Sequence, residues 1–343
     1  MKLLLHIGAG KCGSTAIQSY LSTNVEALRR IGVLVPGTEL DLQSPMHGQQ
    51  AFFYQSLVTE YNTTFLQRQN ALPGSAKLLK EKILYLKELM LREGAHTLVL
   101  SAENLCNESA FADLFSFCLD EFDCEIILYI RRQDDYLISA WTQWYLKLYD
   151  SFADYINGHI LIDANWLALA EPWRKVFGAE RMKVRLYDRE KLFGSDVVTD
   201  FVQVTGLPDE GCVYETEGAV NPSVNDTVAE LASQVKDVFS SVHDGEFYNV
   251  MSEMIGPRAL KRDSRSSIAS LEERLRIYVA YAPSNAEVQR LYFPDQDLAQ
   301  PLFQPPSADE VLCLSSEERM RRQIALLTRA VFAAGKKLQA HGL

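Results

Sequence analysis

Hydrophobic positions along the chain fall into two alternating patterns. Continuous apolar runs occupy Lys2–Ile7, Thr97–Ser101 (TLVLS) and Glu125–Ile130 (EIILYI), with a more interrupted fourth at Met182–Tyr187 (MKVRLY). Runs this short and apolar on both sides predict strands of a sheet that is covered on both faces. Between them the apolar residues recur every three or four positions. Ile17, Leu21, Val25 and Leu28 share one helical face after the first run, and LLKEKILYLKELMLREG carries a second helix that Gly94 closes. The alternation predicts an α/β fold, three-layered, with a central, mostly parallel sheet flanked by helices.

The pattern weakens over residues 40–76, where Pro45, Gly48, Pro73 and Gly74 mark loop and short helix. After about residue 215 it turns helical and irregular, with Pro222, Pro257, Pro283 and Pro294 as breakers. The last stretch, about 315–340, predicts a capped amphipathic helix. Met320, Ile324, Leu327 and Val331 share one of its faces, for packing or a homodimer contact. No repeat and no low-complexity linker divides the chain. Its 343 residues therefore read as one domain, with insertions about 40–76 and 240–300.

Composition narrows the function classes. Apolar residues at 47% and charged residues at 23% are those of an ordinary globular protein. A formal charge of −11 argues against nucleic acid as a partner, so any anion must be held by a local site. The six cysteines (Cys12, Cys106, Cys118, Cys124, Cys212 and Cys313) show no metal-ligand spacing and predict reduced thiols; no metal cluster stands out. The LLL at the start is too short for a secretory leader, and no run reaches the ~18 apolar residues of a membrane span. The expectation is a cytoplasmic protein with no membrane span.

The chemistry lies in HIGAGKCGSTAIQ, residues 6–18, where a strand, a glycine-rich turn and a helix follow one another. Glycines before a helix N-terminus expose backbone N–H groups to a phosphate. The triphosphate loop G-x-x-x-x-G-K-[ST] places its lysine after the last glycine and directly before the hydroxyl residue. Here Lys11 precedes Gly13, and no Ser or Thr follows it directly to hold magnesium. The order Lys11-Cys12-Gly13-Ser14-Thr15 instead resembles the 5′-phosphosulfate loop of sulfotransferases that use 3′-phosphoadenosine 5′-phosphosulfate (PAPS), with Cys12 in a slot more often threonine or serine. Those proteins also carry an arginine after a strand and a serine eight residues on. IILYIRRQDDYLISAW supplies Arg131 and Ser139 at that spacing. Further stretches, such as LVLSAENL and NAEVQRLYFPDQDLAQPLF, are similar to segments of bacterial sulfotransferase-like proteins and extend the likeness to about residue 303.

The resemblance implies a P-loop-like fold and an enzyme that moves a sulfuryl group from PAPS to a hydroxyl of a carbohydrate or small-molecule acceptor, leaving 3′-phosphoadenosine 5′-phosphate (PAP). It implies that Lys11, Cys12, Gly13, Ser14, Thr15 and Ala16 hold the 5′-phosphosulfate and that Arg131 and Ser139 hold the 3′-phosphate. Lys11 would neutralise the leaving phosphate, with no metal needed. The residues at 40–76 and 240–300 would shape the acceptor pocket. A hydroxyl acceptor also needs a general base. His47, in SPMHGQQAFF, is the first candidate, because an ordinary imidazole titrates near neutrality. Glu103, ending LVLSAE, is the second, and Ser101 beside it could touch cofactor or acceptor. His6 reads as a packed strand residue, and His96, His159, His243 and His341 as surface positions. Trp141, Trp144 and Tyr145 read as helical core. Two alternatives stand beside this reading: a P-loop kinase or nucleotide hydrolase, and a non-catalytic nucleotide-binding relative.

Overall fold

The computed structural model describes residues 1–37, 40–43, 75–103, 105–107, 109–214, 224–242, 244–256, 260 and 265–340. These form two compact units. The first comprises residues 1–131, 165–220 and 284–302, and the second residues 132–164, 221–283 and 303–343.

The first unit holds the sheet. Strands β1 (Lys2–His6), β2 (Val33–Leu34), β3 (Thr97–Ser101), β4 (Asp123–Ile130) and β5 (Met182–Leu186) lie in the order β2-β3-β1-β4-β5, each adjacent pair parallel. The apolar runs form these strands because both faces are buried: Leu3, Leu4 and Leu5 are all fully covered. Parallel strands must be joined by crossovers, and right-handed crossovers fix which face each helix takes. The chain runs leftward from β1 to β2 through helix α1 (Ser14–Thr23). It then returns rightward through α3 (Ser75–Glu93), α4 (Ser109–Leu114) and α8 (Trp166–Phe177), so these lie on the opposite face. The contacts agree: α1 packs against α9 (Val197–Thr205), and α4 packs against α8. The fold is a three-layer α/β sandwich around an all-parallel sheet.

Two local departures have physical causes. The face shared by Ile17, Leu21, Val25 and Leu28 does not form one helix. It breaks at Asn24 into α1 and α2 (Val25–Arg30), because the buried Asn24 side chain donates to the carbonyls of Tyr20 (2.8 Å) and Val213 (2.9 Å). Strand β2 was not predicted, since only two residues pair between Gly32, at φ 83°, and Pro36. Gly94, at φ 69°, closes α3 as the sequence predicts.

The second unit is helical. Helices α6 (Gln133–Gln143), α7 (Phe152–His159), α10 (Asp226–Gln234) and α11 (Glu246–Ile255) belong to it, as does α13 (Ser316–Ala340). The chain passes back to the first unit at Pro283, inside α12 (Leu271–Tyr292), so this proline interrupts a backbone hydrogen bond without ending the helix. Trp141 is core as expected, edge-on to Phe152, whereas α6 ends at Gln143 and leaves Trp144 and Tyr145 half-buried beyond it, with Tyr145 stacked on Tyr155 at 4.4 Å. The predicted terminal helix forms over Ser316–Ala340 with Ser315 and Glu318 as a capping box, but the face expected to pack or to meet a second copy is not the one that packs within the chain. Leu326 and Ala330 pack inward, while Met320, Ile324, Leu327 and Val331 are exposed. All six cysteines are free. Among the described residues no helix is long and apolar enough to cross a membrane.

Candidate functional site

The site begins at the carboxyl end of β1, a central strand. In such sheets ligands bind where adjacent strands send their connections in opposite directions, and β1 and β4 do so here. The loop after β1 turns through Lys11 at φ 62° and Gly13 at φ 87°, then opens α1. A Cβ at Gly13 would lie 2.7 Å from the Tyr187 ring and 2.8 Å from Val197. One at Gly8 would press on His6 at 3.2 Å and Ser14 at 3.3 Å. Gly13 is therefore required by close approach as well as by backbone angle, and Gly8 sits in a tight but ordinary backbone position.

Gly13 is the N-cap and brings no side-chain oxygen to the helix start. The first-turn N–H groups of Ser14 and Thr15 have no intrahelical acceptor and carry the positive end of the helix dipole. Ala16 differs, because its N–H bonds to the Gly13 carbonyl at 3.1 Å.

Lys11, Glu103, Ser14 and Arg131 converge here, all in the first unit. Arg131 leaves the end of β4 and donates from Nη1 to the Lys11 carbonyl at 3.4 Å, with its guanidinium 5.8 Å from the Tyr187 ring centroid. Its own carbonyl accepts from Trp166 Nε1 at 2.7 Å, a tether from α8 that the sequence did not signal. Burial brings the Lys11 ammonium down to about 8; Glu103 opposes the shift and Arg131 adds to it. Burial also raises the Glu103 carboxyl above its ordinary value, against the Ser14 hydroxyl, which donates to it at 3.1 Å, and the Lys11 charge. A buried ammonium beside a guanidinium and a helix N-terminus is an arrangement that an anion stabilises. Cys12 is buried and its thiol is pushed well up by that burial, so it fills space in the loop as a neutral group.

Other predicted residues fall elsewhere. Ser101 is fully buried: the β1–β3 register sets it beside His6, whose Nδ1 it meets at 2.7 Å, and it accepts from Gln18 Nε2 at 3.4 Å. His6 is the packed strand residue expected. Ser139 lies on α6 in the second unit, buried, with its carbonyl accepting from Thr142 Oγ1 at 3.0 Å. His47 and most of 40–76 lie outside the described residues. His159 is half-buried rather than a surface residue. Its Nδ1 meets Asp163 at 3.0 Å and its Nε2 meets the Tyr149 hydroxyl at 2.9 Å.

Burial of His6, with Nε2 lacking a hydrogen-bond partner among the described residues, brings its pKa from 6.5 to about 3. The folded protein thus keeps His6 neutral where the unfolded chain protonates it. The stability this confers is present above pH 6.5 and lost as the pH falls below it. By pH 5 the loss is about 2 kcal/mol. Guanidinium unfolding at pH 7.5 and 5 measures it, and the His6→Gln variant should lose less stability than the parent between the two. An equal loss in both would refute the assignment.

Arg132, next to the site residue Arg131, belongs to the second unit's own ion network. It pairs with Asp134 at 2.6 Å and with Glu310, while the buried Arg274 pairs with Asp134 at 2.6 Å and Asp135 at 3.2 Å. The charged RRQDD stretch, which opens α6, is therefore partly a buried structural device. Asp134, Asp135 and Glu310 are close enough to share a cation, and these same carboxylates meet the two guanidinium groups.

Fold and site together define an α/β protein with a glycine-rich, cationic turn at the end of its central strand. No family model matches the chain. An uncharacterized protein of Archaeoglobus fulgidus is 21% identical over 223 residues, which are 62% of this chain and 60% of that protein. The chain thus spans about 60% of the length of this curated relative. Among solved structures, a sulfotransferase from Alicyclobacillus acidocaldarius is similar with a TM-score of 0.34 and 17% identity, over 71% of this chain and 95% of that one. Likeness at this distance carries no functional argument, which rests on the residues of the cradle.

Proposed function

We propose that the chain is a PAPS-dependent sulfotransferase acting on a hydroxyl of a carbohydrate or small metabolite. The observation that carries the reading is the pairing of Lys11 and Arg131 about the N-terminus of α1, at the carboxyl ends of β1 and β4. The cradle fits a phosphosulfate: it offers Gly13-spaced backbone donors, a buried ammonium and a guanidinium, with Lys11 placed before the glycine. PAPS supplies an activated sulfuryl group on a phosphate leaving group.

In the proposed reaction Lys11 and the N–H groups of Ser14 and Thr15 hold the phosphate side, and the Lys11 ammonium meets the charge that grows there as the S–O bond breaks. Arg131 binds the 3′-phosphate, the role that the resemblance implies for it. The acceptor oxygen forms the new bond to sulfur and gives its proton to a base. His47 is proposed for this from the resemblance. Glu103 is the rival from geometry, since its raised carboxyl stands beside Lys11. Glu103→Gln with PAP binding intact but turnover lost would assign the proton to Glu103, and retained turnover would assign it to His47.

Calorimetric titration with adenosine 3′,5′-bisphosphate tests the reading. Binding is expected without metal, weakened about tenfold to a hundredfold by Arg131→Ala, the loss of one charged anchor. A preference for ATP with magnesium would overturn it in favour of a kinase or nucleotide hydrolase.

A further inference from the structure

Helix α13 is apolar on two faces, and the second unit uses one. Leu326 and Ala330 pack against Val228, Met251 and Leu260, while Arg319 pairs with Glu230 and donates to the Ser267 carbonyl at 2.7 Å. The other face is open. Met320, Ile324, Leu327, Val331 and Leu338 are 60%, 57%, 46%, 71% and 52% exposed. With Ala334 they recur at alternating steps of four and three residues through the helix. A surface helix needs one apolar stripe. A second, at a 3.5-residue period, is the seam of a two-stranded coiled coil.

The polar residues fit the same geometry. Arg322, Arg329 and Lys336 recur every seven residues, at the heptad position farthest from such a seam. On its open side the seam is flanked by Arg321, Thr328 and Gly335, and the last lets another backbone approach closely.

We propose that this face is a self-association surface on which α13 of a second copy lies antiparallel, forming a two-fold dimer. Antiparallel pairing sets Met320 against Leu338, Ile324 against Ala334 and Leu327 against Val331 across the copies, so the small Ala334 receives the larger Ile324. Parallel pairing would stack Ala334 on Ala334 and leave a gap. It would also bring the first-turn carboxylates Glu317 and Glu318 of both copies together. Antiparallel pairing moves them toward the end that carries Lys336 and Lys337, and it opposes the two helix dipoles. The pairing closes on itself and does not propagate.

Sedimentation of the full chain between about 1 and 100 µM reads the association directly. A monomer–dimer equilibrium is expected, with Leu327→Glu raising its dissociation constant on the order of 100-fold. Far-ultraviolet circular dichroism should show an unchanged fold, since the substituted side chain is exposed. Orientation is read with the surface thiols Cys212 and Cys313 replaced by serine. Met320→Cys should cross-link only when mixed with Leu338→Cys. A monomer throughout the range overturns the proposal, as does a dimer indifferent to Leu327→Glu. Cross-linking of Met320→Cys alone overturns the antiparallel arrangement. A monomer that floats with anionic phospholipid vesicles through the same face would make the occupant a membrane instead.

Discussion

Replacing Lys11 with methionine is expected to lower turnover roughly 10²–10³-fold while leaving the fold intact, the loss typical of one donor aimed at developing charge. Methionine keeps the unbranched stem of the side chain, one atom shorter, and removes the ammonium that burial already disfavours. The unfolded chain should therefore be no better off, and stability should hold or rise. The same group sets the pH dependence of anion binding. With its pKa brought down to about 8, Lys11 is charged below that pH and loses its proton above it. Affinity for adenosine 3′,5′-bisphosphate should be level up to about pH 8 and fall above it, by at most about tenfold per pH unit. Lys11→Met should flatten that fall. A parent protein whose affinity is level to pH 10 would remove Lys11 from the site.

Gly13→Ala should be strongly destabilising for a single added methyl. The backbone at φ 87° disfavours any Cβ, and the added atom meets Tyr187 and Val197, both held by packing. The expected cost is about 3 kcal/mol, part from the left-handed backbone and part from overpacking. Gly94→Ala is the matched control. It shares the positive φ, at 69°, but a Cβ there meets nothing within 4 Å, so the cost should be about 1 kcal/mol. Guanidinium midpoints compare the two directly. Equal losses would mean that the Tyr187–Val197 wall yields, and that the loop is less tightly shaped than its contacts indicate.

The sheet was legible because burial on both faces leaves a composition that cannot be mistaken, as in LLL and EIILYI. Strand order was not, since nothing in a parallel strand names its neighbours. The glycine-rich turn after β1 was legible because its glycines and lysine are adjacent in sequence. Its supports are not adjacent. Trp166 reaches the Arg131 carbonyl from another crossover, and Ser14 turns its hydroxyl to Glu103, 89 residues away. The His6 partner of Ser101 was not legible, because alternation along a strand settles which side a residue takes, but not what that side carries. The terminal helix shows a similar limit. Its apolar periodicity was plain, yet two stripes share the helix, and only the position of Val228 and Met251 decides which turns inward.

The place of β1 in the sheet also governs when the cradle can exist. Lys2 to His6 pair with Thr97 to Ser101 on one side and with Asp123 to Ile127 on the other. A ribosome adding about 5–20 residues per second makes β1 roughly 5–20 s before β3. Until then the LLL segment has no sheet to enter, and the loop that holds Lys11 has no wall. The cradle is thus encoded early and completed late. In that interval the nascent chain carries an unpaired apolar strand, the kind of segment that holdase chaperones shield.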